Sequence, residues 1–184
     1  MRIVGGDWRG RRLAGPKGNG IRPTSDRLRE ALFNVLAHAY DDPVEGATVL
    51  DLFSGTGALA FEALSRGAAF ALLVDDGREA GGLIRDTIAS LACGARARLI
   101  RRDATRLGPT ADPPATLIFC DPPYGKGLAP AALAAAARGG WLAPGALVLV
   151  EEVASAGPIL SEGFVELERR SYGETAVTFA RFEG

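Results

Sequence analysis

Hydrophobic and polar positions along this chain follow two periods in turn. Thr48-Val49-Leu50-Asp51-Leu52-Phe53, Ala69 to Val74, Arg96 to Arg101, Ala115 to Cys120 and Leu147 to Glu151 are short runs rich in β-favouring apolar side chains, and they read as buried strands. Between them the period lengthens. Leu28, Ala31, Leu32, Val35, Leu36 and Ala39 recur at helical spacing, which predicts an amphipathic helix over 26–40 with Thr24 or Ser25 as N-cap. Further helices are predicted from the Ser54–Ala60 loop to about Arg66-Gly67, from Glu79 to Cys93 with Gly94 as the stop, and from about Pro130 to Arg138. Strands alternating with helices predict an α/β protein whose parallel sheet is covered on both faces. Phe164 to Arg170 and Thr175 to Phe182, joined through Tyr172-Gly173-Glu174, predict a terminal antiparallel hairpin.

Residues 2–14 set Gly5, Gly6 and Gly10 among apolar and basic residues, which predicts a small β-hairpin with turn glycines. Trp8 within it is suited either to stacking on a nucleobase or to covering the edge of the core. With 184 residues, 47% hydrophobic and 23% charged, the chain is read as one domain with a sizeable core, residues 1–20 forming a basic extension on a core of 21–184.

Charge changes the picture more than composition does. Residues 1–29 carry eight basic side chains (Arg2, Arg9, Arg11, Arg12, Lys17, Arg22, Arg27, Arg29) against Asp7 and Asp26, a net of +6 that leaves −7 for the remainder. Such asymmetry points to a polyanion met by one end of the molecule, or to a solvated basic tail. The start of the 26–40 helix, with free amides beside Arg22, Arg27 and Arg29, suits a phosphate. Cys93 and Cys120 support neither a disulfide framework nor a metal cluster, and a single His38 excludes a His-based metal site or triad. No run approaches the roughly 18 apolar residues of a membrane span. A soluble cytoplasmic protein is expected.

The strand ending at Cys120 runs directly into Asp121-Pro122-Pro123-Tyr124. Two prolines forbid further ladder donation, so the chain must turn out of the sheet there. A carboxylate, a proline carbonyl and an aromatic face thus come together at the carboxyl end of a strand, where open α/β sheets bind ligands. A planar amine can donate its two hydrogens to Asp121 and the Pro122 carbonyl while its ring stacks on Tyr124, leaving the nitrogen lone pair aimed at an electrophile. The alternative is a strand-ending turn with a packed tyrosine.

Gly55, Gly57 and Ala60 fit the G-x-G-x-x-G/A loop, and Asp75 ends the next strand. Alone, this loop does not separate NAD from S-adenosylmethionine. Asp51, four residues before the first glycine, would repel a pyrophosphate but suits the ammonium of a methionine moiety, and Asp103 ends the third strand within reach of an adenine amine. Both favour S-adenosylmethionine, with S-adenosylhomocysteine as product and no metal.

R-P-T-S-D-R-L-R-E-A-L-F-N-V-L at Arg22–Leu36, V-L-D-L-F-S-G-T-G-A-L-A-F-E-A-L-S-R-G-A at Val49–Ala68, D-P-P-Y at Asp121–Tyr124 and Y-G-E-T-A-V-T-F-A-R-F at Tyr172–Phe182 resemble the RsmD family, over nearly the whole chain. The resemblance implies a Rossmann-like class I methyltransferase with a seven-stranded sheet and an N-terminal hairpin extension. It implies methylation of the exocyclic 2-amino group of a guanine in bacterial 16S ribosomal RNA, within the small subunit or its assembly intermediate. By the same resemblance Asp51, Phe53, Ser54, Gly55 and Gly57 line the methionine side of the cofactor, Asp75 takes the ribose hydroxyls, and Asp103 and Ala104 flank the adenine. Asp121, Pro122, Pro123 and Tyr124 receive the guanine, and Arg2, Arg9, Arg11, Arg12, Arg22, Arg27 and Arg29 meet the RNA. Where the family often has a glutamate and a second acid two residues later, this chain has Asp75-Asp76-Gly77. A monomer is expected. The competing readings are a DNA adenine amino methyltransferase, a non-catalytic RNA-binding module on the same fold, and an NAD-dependent oxidoreductase.

Overall fold

The computed structural model describes every residue except Asn19, Arg22, Pro23 and Pro158. The five apolar runs form parallel strands β1 (Thr48–Leu52), β2 (Phe70–Val74), β3 (Ala97–Ile100), β4 (Ala115–Cys120) and β5 (Leu142–Val153). Helices α1 (Asp26–Ala39), α2 (Ala58–Ser65), α3 (Arg78–Ser90) and α4 (Leu128–Arg138) lie between them in sequence or before β1. The hairpin of β6 (Phe164–Tyr172) and β7 (Thr175–Phe182) turns through Gly173-Glu174. The sheet order is β3-β2-β1-β4-β5-β7-β6, with β7 antiparallel to both neighbours. The chain therefore leaves β1 in one direction and returns to its other side at β4, which makes the β1/β4 boundary the switch point where such sheets take ligands.

Alternation along the strands sorts the core into two layers. Val49, Ala71, Leu73, Leu117, Phe119, Leu147, Leu149, Val177 and Phe179 face one cluster with α1, α2 and α3. Leu50, Leu52, Leu72, Val74, Ile118, Cys120, Val148, Val150 and Ala180 face the other, with α4 and Trp141. Two elements differ from the sequence expectation. β5 starts at Leu142, because Ala115 of β4 pairs with it ahead of a register shift. α3 stops at Ser90 rather than Cys93, because Ala92 takes a left-handed φ of 52° and the Cys93 amide returns to the Ile88 carbonyl at 3.1 Å.

The first residues form the expected hairpin in miniature, the Ile3 amide donating to the Arg11 carbonyl at 2.9 Å, the Gly10 amide to the Ile3 carbonyl at 2.8 Å and the Leu13 amide to the Met1 carbonyl at 3.2 Å. A single antiparallel bridge joins Arg2 to Arg12. The donors between its two arms go elsewhere: Val4 and Gly5 amides donate to the Glu62 carboxylate of α2 at 2.9 and 2.8 Å, and Asp7 and Trp8 amides donate to the Ser65 carbonyl and hydroxyl. Gly6, at φ 75°, lies so close to the Ser65 backbone that no side chain fits. Ile3 and Leu13 are buried in the α1–α3 core. Trp8 packs on the edge of that core under the Arg96 guanidinium, 5.4 Å from the ring centroid, which leaves the core-covering reading of this residue in place.

Arg29 corrects the sequence reading. Its side chain is fully buried and donates to the Arg2 carbonyl at 2.6 Å and to Asp26 at 2.6 Å, with its Nε 3.9 Å from Glu62. Held inside the protein, it cannot meet an RNA phosphate. Arg22 lies outside the described residues. Because Glu62 is buried and also accepts from Arg66 at 2.9 Å, removing its carboxylate strands two amides and a buried cation at once. Glu62→Ala is expected to lose about 3–5 kcal/mol of stability, the cost typical of breaking a buried pair, read as a lowered urea midpoint with the slope unchanged.

Candidate active site

The carboxyl ends of the strands open on a cavity of about 1210 Å³, walled by the glycine loop after β1, the start of α1, the turn after β4 and the near ends of β5 and β7. Asp51 occupies the last inward position of β1. It is 2% exposed, lines the cavity, and accepts the Ala60 amide in the first turn of α2 at 3.3 Å. Burial pushes its carboxyl up to about 8; the Ala60 amide opposes the rise and the nearby Asp75 adds to it. A buried acid held in this way is poised for a cation.

Phe53 and Gly55, at φ 60° and 55°, turn the chain out of β1. The Ser54 hydroxyl donates to the Asp51 carbonyl at 2.6 Å, closing that turn. Phe53, Ser54 and Gly55 line the cavity. Gly57 is not among the cavity-lining residues: a side chain there would meet Phe61 at 2.6 Å and Leu73 at 2.7 Å, so this glycine serves the close packing of α2 on β2.

Asp75 follows β2 and lines the cavity; its two oxygens accept the amides of Gly55 and Gly77, both at 2.8 Å. It thereby ties the glycine loop to the start of α3. Burial raises its carboxyl above the ordinary value against those two amides. Asp103 follows β3 and accepts the hydroxyl and the amide of Thr105 at 2.7 and 2.8 Å, which holds it below the usual carboxylate range. Ala104 is buried behind it, and both line the cavity.

Asp121, Pro122, Pro123 and Tyr124 complete the far wall. The Asp121 amide donates to the Leu52 carbonyl of β1 at 3.3 Å, so the turn starts from the switch point itself. The Tyr124 hydroxyl donates to Glu151 Oε1 at 2.6 Å and lies 3.2 Å from the Thr175 hydroxyl. Burial and the Glu151 carboxylate together raise the phenol above its ordinary value. Beyond Tyr124, the Gly125 amide donates to the buried Glu152 at 3.2 Å. Sequence reasoning assigned no role to Glu151, Glu152 or Thr175. The available signal was Glu151 itself, a charged residue in phase with Leu147 and Leu149 at the carboxyl end of a strand.

The basic residues divide. Arg2, Arg9, Arg11 and Arg12 are exposed on the N-terminal loop, away from the cavity-lining residues, with Arg11 donating to the Ser90 carbonyl at the end of α3 at 2.7 Å. Arg27 lies at the cavity, as do Arg78 and Arg102, which sequence reasoning passed over. Among the described residues no group of three or more His, Cys, Asp or Glu could hold a metal ion, and no helix is long and apolar enough to cross a membrane.

A sheet of this order, with a glycine loop and a D-P-P-Y turn opening on one cavity, defines the class I methyltransferases, and this chain is a methyltransferase of that class. The family described as conserved hypothetical protein 95 matches residues 1–181. The chain belongs to it, the RsmD family. It is 42% identical over 151 residues, 82% of this chain and 74% of the relative, to the ribosomal RNA small subunit methyltransferase D of Escherichia coli strain K12. To the protein of the same name in Haemophilus influenzae it is 32% identical over 94% of this chain and 89% of the relative. The solved structure of the yhhF protein from Escherichia coli superposes with a TM-score of 0.83 at 36% identity, covering 100% of this chain and 98% of that one.

Asp51 sets a pH dependence. In the unfolded chain its carboxyl ionises from the ordinary value near 3.8, in the folded protein only near 8. Its destabilising effect therefore grows as the pH rises from about 4 to about 8 and is constant above that. Asp51→Asn is expected to raise the urea midpoint near pH 8 and to lose that advantage towards pH 4.

Proposed function

We propose that this protein transfers the methyl group of S-adenosylmethionine to the exocyclic 2-amino group of a guanine in 16S ribosomal RNA. The observation that carries this reading is that the buried Asp51 with its glycine loop and the Asp121-Pro122-Pro123-Tyr124 turn open on the same cavity from adjacent strands. The names of the ribosomal RNA methyltransferases it resembles support the acceptor. The 2-amino position follows from the motif resemblance.

The residues fit the cofactor. Asp51 would hold the ammonium of the methionine moiety, Asp75 the ribose hydroxyls, and Asp103 with Ala104 the adenine, three acids spread across the ends of three neighbouring strands. When bound, S-adenosylmethionine supplies a methyl group on a positively charged sulfur, an electrophile that needs no further activation. Asp121 and the Pro122 carbonyl accept the two hydrogens of the amine and draw its lone pair out of the ring. Tyr124 fixes the plane of the base by stacking. The lone pair so exposed would take the methyl group, the carbon–sulfur bonding pair leaving with the sulfur of S-adenosylhomocysteine. Asp121 stabilises the positive charge that grows on nitrogen and passes the surplus proton to solvent. A base must leave its own stack to reach this turn, which favours an unpaired guanine.

Residues 1–20 and 21–184 act as one domain, a monomer in the cytoplasm, with Arg2, Arg9, Arg11, Arg12 and Arg27 meeting RNA phosphates. The test is transfer of labelled methyl to small ribosomal subunits from cells lacking this gene, with the product nucleotide identified. Label in 2-methylguanosine is expected, and Asp121→Ala should lower turnover by about 10²–10³-fold, the usual effect of removing one electrostatic donor or acceptor at a reacting centre. Wild-type turnover in that variant sinks the role given to Asp121. Changing Arg9 and Arg12 together to Gln should weaken subunit binding and flatten its log–log salt dependence by about 1.4, two single-strand phosphate contacts at roughly 0.7 each, with cofactor affinity unchanged.

A further inference from the structure

Strand parity brings a second carboxylate to the amine site. The alternation that points Leu147 and Leu149 into the α1–α3 layer points Glu151 the same way. Cys120, the last residue of β4, lies opposite Val150, so Asp121 starts its turn next to the strand position that Glu151 holds, and both line the cavity. On the other side, Glu151 pairs with Val177 of β7, two residues from Thr175. Asp121, Tyr124, Glu151 and Thr175 all line the cavity.

Glu151 is only 7% exposed, and its Oε1 takes the Tyr124 hydroxyl at 2.6 Å. With Thr175 at 3.2 Å on the same hydroxyl, the tyrosine and the glutamate fix each other's orientation.

The turn itself does not tell one purine from another. The exocyclic amines of adenine and guanine both offer two hydrogens to a carboxylate and a carbonyl. The ring nitrogen next to the amine does differ: guanine N1 carries a hydrogen, adenine N1 carries a bare lone pair. We infer that Glu151 is the specificity-determining residue of this pocket, its carboxylate, steadied by Tyr124, accepting the N1 hydrogen of the guanine whose 2-amino group Asp121 holds. Two acceptors side by side match the two parallel donors of the guanine edge. A base with a bare N1 sets its lone pair against the carboxylate and is rejected. The N1 hydrogen bond also pushes electron density into the ring and so toward the amine. This inference rests on the guanine reading above.

The discriminating substrate is 2,6-diaminopurine, which keeps the 2-amino group but has no hydrogen on N1. Small subunits reconstituted with 16S RNA carrying this base in place of the methylated guanine are compared with normal subunits. For the unaltered enzyme, kcat/KM is expected to fall by roughly 10- to 100-fold on 2,6-diaminopurine, the range that one well-made base contact supplies. In Glu151→Gln the amide can still accept from Tyr124 and can donate to a bare N1, so guanine transfer falls, 2,6-diaminopurine transfer rises, and the preference collapses or reverses. A residue serving only the fold would leave that ratio where it was. Equal efficiency of the unaltered enzyme on both bases overturns the inference without any variant, and so does an unchanged ratio in a folded Glu151→Gln. If the unaltered enzyme places no methyl on guanine at all, the guanine reading falls and the inference with it.

Discussion

A parallel strand buried on both faces has no place for a charge except near its end, and the rest of this protein follows from that constraint. Each of the five parallel strands carries an acid at or just beyond its carboxyl end: Asp51, Asp75, Asp103, Asp121 and Glu151. Crowding them at one edge of the sheet is unfavourable; burial is the main cause of the rise of Asp51 and Asp75 above the ordinary carboxylate range, and the charge of a neighbouring acid, Asp75 for the first and Asp76 for the second, adds to it. The same crowding makes the cavity selective. Ligands that bring a cation or several hydrogen-bond donors relieve it, and ligands that bring a pyrophosphate aggravate it. The proposed methyl donor and guanine edge both belong to the first kind.

The opposite charge sits outside. Arg2, Arg9 and Arg12 ride on a short hairpin outside the main sheet, anchored through backbone amides on the buried Glu62 and on Ser65. Glu62 belongs to α2, the helix whose first turn is capped by Asp51. One short helix thus carries the glycine loop at one end and the basic segment along its flank, so the positive face and the acidic cavity share one support.

Much of this was legible in the sequence, and the failures share a cause. Strand runs, the α1 N-cap at Ser25, the glycine loop and the D-P-P-Y turn are local patterns, readable from a dozen residues at a time. The shortness of the N-terminal hairpin depends on Glu62, 58 residues from Val4, and nothing local tells a hairpin donor that its partner is a distant carboxylate. Arg29 looked like one of a basic cluster because its burial depends on the same distant glutamate. Gly57 looked like a ligand contact because its spacing fits the loop, whereas its actual neighbour, Leu73, belongs to the next strand. Glu151 and Thr175 were hidden because their meeting with Tyr124 needs a strand pairing whose partners lie 27 and 51 residues from it.

β7 is the last strand in the chain, yet it lies inside the sheet between β5 and β6. Thr175 is its first residue, and the Tyr124 clamp includes that hydroxyl. A chain emerging from the ribosome can lay down β1 to β5 and seat its first residues on α2 long before Thr175 is made, but the wall around Tyr124 stays incomplete until β7 has docked. Nascent chains of this protein would then pass through a stage that displays the basic N-terminal segment on α2 while the wall around Tyr124 is unfinished, so that during synthesis the positive face is complete before the cavity is.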